Sequence, residues 1–326
     1  MGITLGMADL FKKGIDMRLG IFTGGAGEAD TLDSVIAQAQ QTETAGFDSF
    51  WLPNLPTRNC DALLVMALAG RETARIELGT AVMPTYPRHP IAMAQEAMTA
   101  NAATRGRLAL GIGLSHRPVI EEVMGLSYEH PVRHMRGYLT VLQALVRDHK
   151  VAYTGETLRV MAEVSVPETR PLPILLAALA PRMLQLAGAI ADGTITWMAG
   201  LKTITAHVVP RLTAAAQEAG RPVPRVCVGL PIAVTDEVTA AHEAAARIFG
   251  RYGQLTNYRR LLDIEDAQGP ADVAVIGNEA EVARQLHNVA AAGATDFLAA
   301  LFPVGEDAEA SKARTWELLR SLQGTL

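Results

Sequence analysis

Eight short apolar runs, each followed by a longer segment of helical pattern, set the tightest limit on what this chain can fold into. The runs are RLGIF (18–22), FDSFWLP (47–53), RIELGTAV (75–82), RLALGIG (107–113), PILLAAL (173–179), GTITWM (193–198), RVCVGLPIAV ending at Val234, and TDFLAALF (295–302). Between them lie segments such as TLDSVIAQAQQTETAG, with Thr31 as a candidate N-cap and Gly46 as the stop. A third segment starts at Pro90, whose missing N–H suits the first helical position. Strand–helix units in an unbroken rhythm, with no shift in composition, predict a single α/β domain, a (β/α)8 TIM barrel over residues 17–326. A doubly wound sheet is the structural alternative. Two stretches, 149–172 and 250–278, break the rhythm and read as insertions in the later connections, of the kind that serve as lids or oligomer contacts. Residues 1–16 lack the order of a signal peptide and read as an N-terminal extension outside the fold.

Composition narrows the function classes. A net charge of −5 with both signs interspersed leaves no basic stripe for nucleic acid. No apolar run approaches the roughly 20 residues needed to span a bilayer. The two cysteines, Cys60 and Cys227, are far apart and form no CxxC pair, which fits a reducing cytoplasm and not a disulfide framework or a structural zinc. Cys60 reads as a small buried hydrophobe. His130 and His134 are four apart, but Pro131 follows His130 and puts it outside the helix, so no metal site is expected.

In a barrel of this kind the active site is built from the loops at the C-terminal ends of the strands. The third run ends in MPTYPRHP, which delivers Tyr86, Arg88 and His89 to that end. His89 also suits a helix cap. The fourth run ends in GIGLSHRP, where Gly111 and Gly113 permit a flat ring or a phosphate to approach the backbone and Ser115, His116 and Arg117 supply donors. The second glycine of a nucleophile elbow is missing, so a serine hydrolase is not indicated. GGAGEAD (24–30) places Asp30 at the third glycine position of a dinucleotide fingerprint and reads as a flexible loop over the mouth. In LLAALAPRM, small residues precede a helix starting near Pro181, with Arg182 in its first turn. An anion site and an ordinary strand-to-helix turn explain this equally well. Trp51 and Trp197 lie at strand ends, as walls for a ring-shaped ligand or as rim packing.

From Met17 to the end the chain resembles the luciferase-like flavin and deazaflavin oxidoreductases. The carriers are AGFDSFWLP, ELGTAVMPTYPRHPIAMAQEAMTANAATRGRLALGIGLSH, HPVRHMRGYLTVLQAL, LLAALAPRMLQLAGAIADGTITWM and VIGNEAEVARQL. The branch that uses coenzyme F420, a deazaflavin hydride carrier, is the most similar. The resemblance implies a barrel with the ring at the strand C-termini, backed by a bulge with a non-prolyl cis peptide at Ala81–Val82. It also implies that Asn54 and the turn Gly113, Leu114 and Ser115 line the cofactor, and that Ala177, Ala178, Leu179, Ala180 and Arg182 cradle its phosphate-bearing tail. Relatives carry an Asp-His pair after the second strand; here Asn54 and Leu55 stand there, and neither titrates near neutrality. The proton donor candidates are therefore His116, Tyr86 and Glu28. The implied activity is hydride transfer between coenzyme F420 and a small-molecule substrate, as reduction of an activated C=C or C=N bond. An FMN-dependent monooxygenase and a non-catalytic cofactor-binding protein are the rival readings. A homodimer through the second and third helices is also implied, with ALLVMALAG as its apolar face.

Overall fold

A computed structural model describes residues 16–24, 31–55, 57–58 and 60–326. Eight parallel strands close on themselves: β1 (Arg18–Phe22), β2 (Ser49–Leu52), β3 (Glu77–Thr80, continued by Met83–Pro84), β4 (Leu108–Gly113), β5 (Ile174–Ala177), β6 (Gly193–Trp197), β7 (Arg225–Val234) and β8 (Asp296–Leu301). Closure runs from β8 to β1, where Arg18 pairs with Asp296, and every neighbouring pair round the ring is parallel. The expected (β/α)8 barrel is therefore what forms. A further short strand, Val275–Gly277, adds to the C-terminal end of β7.

Helices cover the outside: α1 (Leu32–Thr44), α2 (Ala62–Glu72), α3 (Pro90–Ala103), α4 (Pro131–Asp148), α5 (Pro181–Ile190), α6 (Val209–Glu218), α7 (Val238–Phe249), α8 (Thr256–Glu265), α9 (Glu279–Ala291) and α10 (Ala308–Ser321). Their starts follow local chemistry. The Thr31 hydroxyl accepts from the Ser34 N–H at 3.2 Å, and Asp61 accepts from the N–H groups of Leu63 and Leu64. His89 Nδ1 accepts from Ile91 N–H at 3.3 Å ahead of Pro90 at the first helical position. The segment after β6 is not one helix: a π-turn at Ile204–Val208 precedes α6. Pro210 has no N–H to close an α-turn there, and the Ala206 carbonyl accepts from the Arg211 side chain instead.

Of the two interruptions, 250–278 follows β7 and belongs to the mouth, where α8 packs. The other forms an antiparallel hairpin, Lys150–Thr154 with Arg159–Glu163, between α4 and β5 and hence at the opposite end.

The barrel interior is a packed column. Phe22, Trp51, Ala109, Leu175, Ile195, Cys227, Leu298 and Ala300 form one cluster, on which half-buried Ala81, Val82 and Trp197 rest. Trp51 is not at the rim. It is fully buried, donates to Ser49 Oγ at 2.8 Å, and lies over Gly79, where a Cβ would come within 2.1 Å of the indole. Below the column, Arg225 binds Glu77 at 2.8 Å and Asp296 at 2.6 Å, and Arg18 reaches both carboxylates at 3.3 Å. This ionic plug closes the end of the barrel away from the loops.

Candidate active site at the barrel mouth

The third strand changes course as it reaches the mouth. It pairs with β4 at Leu78 and Gly79, and pairing resumes at Met83 with Ile112. Four steps on β3 (79 to 83) face three on β4 (109 to 112), so one residue is extra and the strand bulges. Thr80 fills the gap in the ladder: its hydroxyl donates to the Gly111 carbonyl at 2.9 Å and accepts from the Gly111 N–H at 3.0 Å. A Cβ at Gly111 would lie 2.0 Å from the Thr80 carbonyl oxygen, so only glycine fits beside the bulge. The Ala81–Val82 peptide bond is cis.

Beyond the bulge, three strand ends meet. A Cβ on Gly113 would come 2.7 Å from Val82 Cγ2 and 3.1 Å from Ala177 Cβ. Val82, Gly113 and Ala177 thus form one small-residue floor drawn from β3, β4 and β5. Leu114 and Ser115 continue it, with Ser115 in the left-handed region at φ 62°. Ala178, Leu179 and Ala180 lead to α5, whose N-cap residue, Ala180, makes no side-chain capping bond. The Leu179 carbonyl is held by His207 Nε2 at 2.7 Å. Arg182, at the second position of α5, is exposed and has no ion pair among the described residues.

An aromatic wall rests on the same buried cluster as Val82. Trp197, at the end of β6, contacts Phe22 (5.2 Å between centroids), Tyr252 (5.9 Å) and Phe249 (6.0 Å). Tyr252 meets Tyr258, and Tyr258 meets His116 at 5.7 Å. The insertion after β7 therefore contributes Tyr252 and Tyr258 and reaches across to the β4 loop. It is clamped by Glu265, whose carboxylate accepts from the N–H groups of Thr203 (2.6 Å) and Lys202 (3.3 Å). Trp197 Nε1 is buried with no partner among the described residues.

His116 is lowered below the usual histidine range by burial first and by the Arg251 guanidinium second, so its imidazole is neutral at neutral pH. Tyr86 lies against His134 (4.1 Å, 3° between planes) and Tyr128 (5.3 Å, 27°). Burial, with a smaller contribution from Tyr128, pushes its phenol up to about 12, and its hydroxyl is buried without a partner among the described residues. Arg88 and His89 are structural: Arg88 binds Asp61 and Glu96, and His89 caps α3. Asn54 is buried, with its Oδ1 taken by the Ala62 N–H at 2.9 Å, so only the rest of its amide remains for a ligand. Glu28 lies outside the described residues. Cys60 is half-buried and Cys227 fully buried.

Val82, Gly113 and Ala177, which the resemblance assigned to the cofactor, meet in one floor, and His116 stands in the loop that follows Gly113. Tyr252, Tyr258, Phe22 and Tyr128 were not singled out from the sequence, and His134 was considered there only as a metal ligand. The long insertion read as a lid or an oligomer contact; within it Tyr258 keeps helical spacing with Leu261 and Leu262 in α8, whereas nothing local marks Tyr252 as turned inward. Among the described residues no group of three or more His, Cys, Asp or Glu is placed to hold a metal, and no helix is long and apolar enough to cross a membrane.

Comparison with known proteins agrees with this architecture. A family model described as luciferase-like monooxygenase matches residues 17–321. An uncharacterised protein of Mycobacterium tuberculosis is 29% identical over 236 residues, 68% of each chain. The 5,10-methylenetetrahydromethanopterin reductase of Methanolobus tindarius is 26% identical over 193 residues, 59% of this chain and 58% of the reductase. Among solved structures, an F420-dependent secondary alcohol dehydrogenase in complex with an F420-acetone adduct superimposes with a TM-score of 0.76 at 19% identity, covering 93% of this chain and 98% of that one. The FMN-bound oxygenating constituent of 3,6-diketocamphane monooxygenase from Pseudomonas putida gives 0.71 at 15% identity, covering 95% and 97%. At these identities the structural likenesses bear on the fold alone.

Proposed function

The chain belongs to the luciferase-like monooxygenase family and is an oxidoreductase, and from that premise we propose that it uses coenzyme F420 to reduce an activated C=C or C=N bond of a small metabolite. The observation that carries this reading is the bare floor where Val82, Gly113 and Ala177 meet. It offers a flat ring a surface with no side chain larger than valine, with Trp197 on the same buried cluster. The unpartnered Trp197 N–H supports the fit, because a buried donor without an acceptor is the natural complement of a carbonyl on a bound ring or substrate. Ala81, Val82, Gly113, Leu114 and Ser115 would hold the ring, with Asn54 at its edge. Ala177 to Ala180 and Arg182 would face the tail.

When bound, the deazaflavin supplies a hydride to an electron-poor carbon. The chain's own residues do the rest. The aromatic wall excludes water, and His116 moves the proton. In the reducing direction the imidazolium gives its proton to the atom that receives the displaced electron pair, and water restores it. In the reverse direction the neutral ring takes that proton back. Tyr86 and Glu28 remain the other donor candidates. A pair of chains joined through α2 completes the proposal: Leu64 and Leu68 are 67% and 46% exposed on its outer face. Light scattering at micromolar concentration should return the mass of a dimer, and a monomer would refute the pairing.

The activity is tested anaerobically with reduced coenzyme F420 and 2-cyclohexen-1-one or a cyclic imine. Cofactor oxidation that depends on both protein and acceptor supports the reading. Turnover only with reduced FMN and oxygen would replace it with the monooxygenase, and binding without turnover of either kind would indicate a cofactor-binding protein.

A further inference from the structure

We propose that His134, on α4 and remote in sequence from every strand end, is the positioning residue for the Gly113–Ser115 turn. Two routes join them. In the first, His134 Nε2 meets the Thr85 hydroxyl at 3.0 Å, and the Thr85 N–H donates to the Gly113 carbonyl at 2.9 Å. Thr85 is 1% exposed, so this link runs through the interior. In the second, four planar groups touch in series. His134 lies on Tyr86, Tyr86 on Tyr128, and the Arg117 guanidinium sits over the Tyr128 ring at 4.9 Å. Tyr128 Oη reaches the Ser115 carbonyl at 3.4 Å, and Glu121 holds Arg117 at 2.6 Å. Ser115 is held in the left-handed region, which a free chain visits rarely.

The physical logic is preorganisation. A turn with glycine at one end and a left-handed residue at the other has many alternatives in a loop, and a ligand that needs one of them loses affinity by the fraction of time spent in the rest. Two restraints, on the Gly113 and Ser115 carbonyls at either end of the turn, remove those alternatives before any ligand arrives. His134 suits the task because it is neutral and planar: burial holds it down to about 4, so it presents one ring nitrogen to Thr85 and a flat face to Tyr86 across the working pH range. The inference rests on the reading of this turn as a support for the cofactor ring, but its test does not.

The test is amide hydrogen exchange in the cofactor-free protein, comparing wild type with His134→Ala, His134→Phe and Thr85→Val. His134→Ala removes both routes, His134→Phe keeps a ring on Tyr86, and Thr85→Val cuts the hydrogen-bonded route from the other side. Exchange at residues 113–117 should rise about tenfold in His134→Ala and less in the other two, while amides of β1 and β2 stay as in wild type. A change spread evenly over the barrel strands would mean general loosening and would overturn the proposal, as would unchanged exchange at 113–117. If His134→Ala does not fold, Thr85→Val decides by the same reading. In a second arm, coenzyme F420 should bind His134→Ala about five- to tenfold more weakly than wild type. Wild type failing to bind coenzyme F420 would count against the cofactor reading while leaving the exchange result to decide the positioning role.

Discussion

His116 shows how much one residue's surroundings decide. It follows a strand end, as its place in GIGLSHRP implied, but its chemistry is set by partners from a distant insertion. Tyr258 lies against it, and the Arg251 guanidinium adds to the burial that lowers its proton affinity. A lowered value makes the imidazolium a stronger acid and a scarcer one at neutral pH. Turnover in the reducing direction should therefore fall as pH rises through a midpoint below 6.5, and the reverse reaction should gain over the same interval. His116→Gln should flatten that limb and lower kcat about a hundredfold with KM little changed. A pH–rate profile identical to wild type in the variant would remove His116 from the proton path and return the role to Tyr86 or Glu28.

At the scale of elements, Arg182 offers the clearest prediction. The N-cap of α5 makes no side-chain bond, and Arg182 stands exposed in its first turn without an ion pair among the described residues. A phosphodiester there would gain a charge-assisted hydrogen bond, worth about 1.5–3 kcal/mol when well formed. Arg182→Ala should weaken the intact deazaflavin by roughly one to two decades and leave a fragment without the phosphate unaffected. Equal losses for both ligands would point to a damaged pocket.

Elements were also what the sequence made most legible. Apolar runs of strand length, the caps Thr31 and His89, and Pro90 at a helix start are local signals, and local chemistry sufficed to place them. The floor of the site was legible through resemblance, because glycine at 111 and 113 answers to close backbone approach. What stayed hidden depends on which side chains meet across the fold. Trp51 reads as a rim residue until Gly79 is seen to leave room for it inside the barrel. Tyr252 sits in a short turn with no apolar period, and the helical spacing of Tyr258 with Leu261 and Leu262 marks it as inward but not what it meets. His134 drew notice in the sequence only as half of a rejected metal pair, and its role waits on Tyr86 folding against it.

For the molecule as a whole, the ionic plug and the proposed site lie at opposite ends of the barrel. The mouth keeps small residues and donors unpartnered among the described residues, whereas the far end is closed by Arg18, Glu77, Arg225 and Asp296. Asp296 is 1% exposed. Burial alone would raise its carboxyl, but Arg225, Arg18 and the Thr295 hydroxyl override that and hold it below its ordinary value. The sign follows: its contribution to stability is complete above the unfolded value near 3.8 and is lost as pH falls through the lower folded value. Asp296→Asn leaves Arg225 partly unpaired in the interior and should cost roughly 3–5 kcal/mol at neutral pH. Urea unfolding at pH 7 and pH 3 should show the gap between wild type and variant narrowing at the lower pH; a gap of constant size would mean that the ionised carboxylate contributes nothing.

The central claim is that the floor at the mouth receives a deazaflavin, and parallel equilibrium titrations of the purified protein with coenzyme F420 and FMN, read by fluorescence, test it most directly. The account predicts saturable binding of coenzyme F420, tighter than FMN and weakened by Gly113→Ala, whose added methyl would stand 2.7 Å from Val82 Cγ2. Tight binding of FMN with no binding of coenzyme F420 would contradict it.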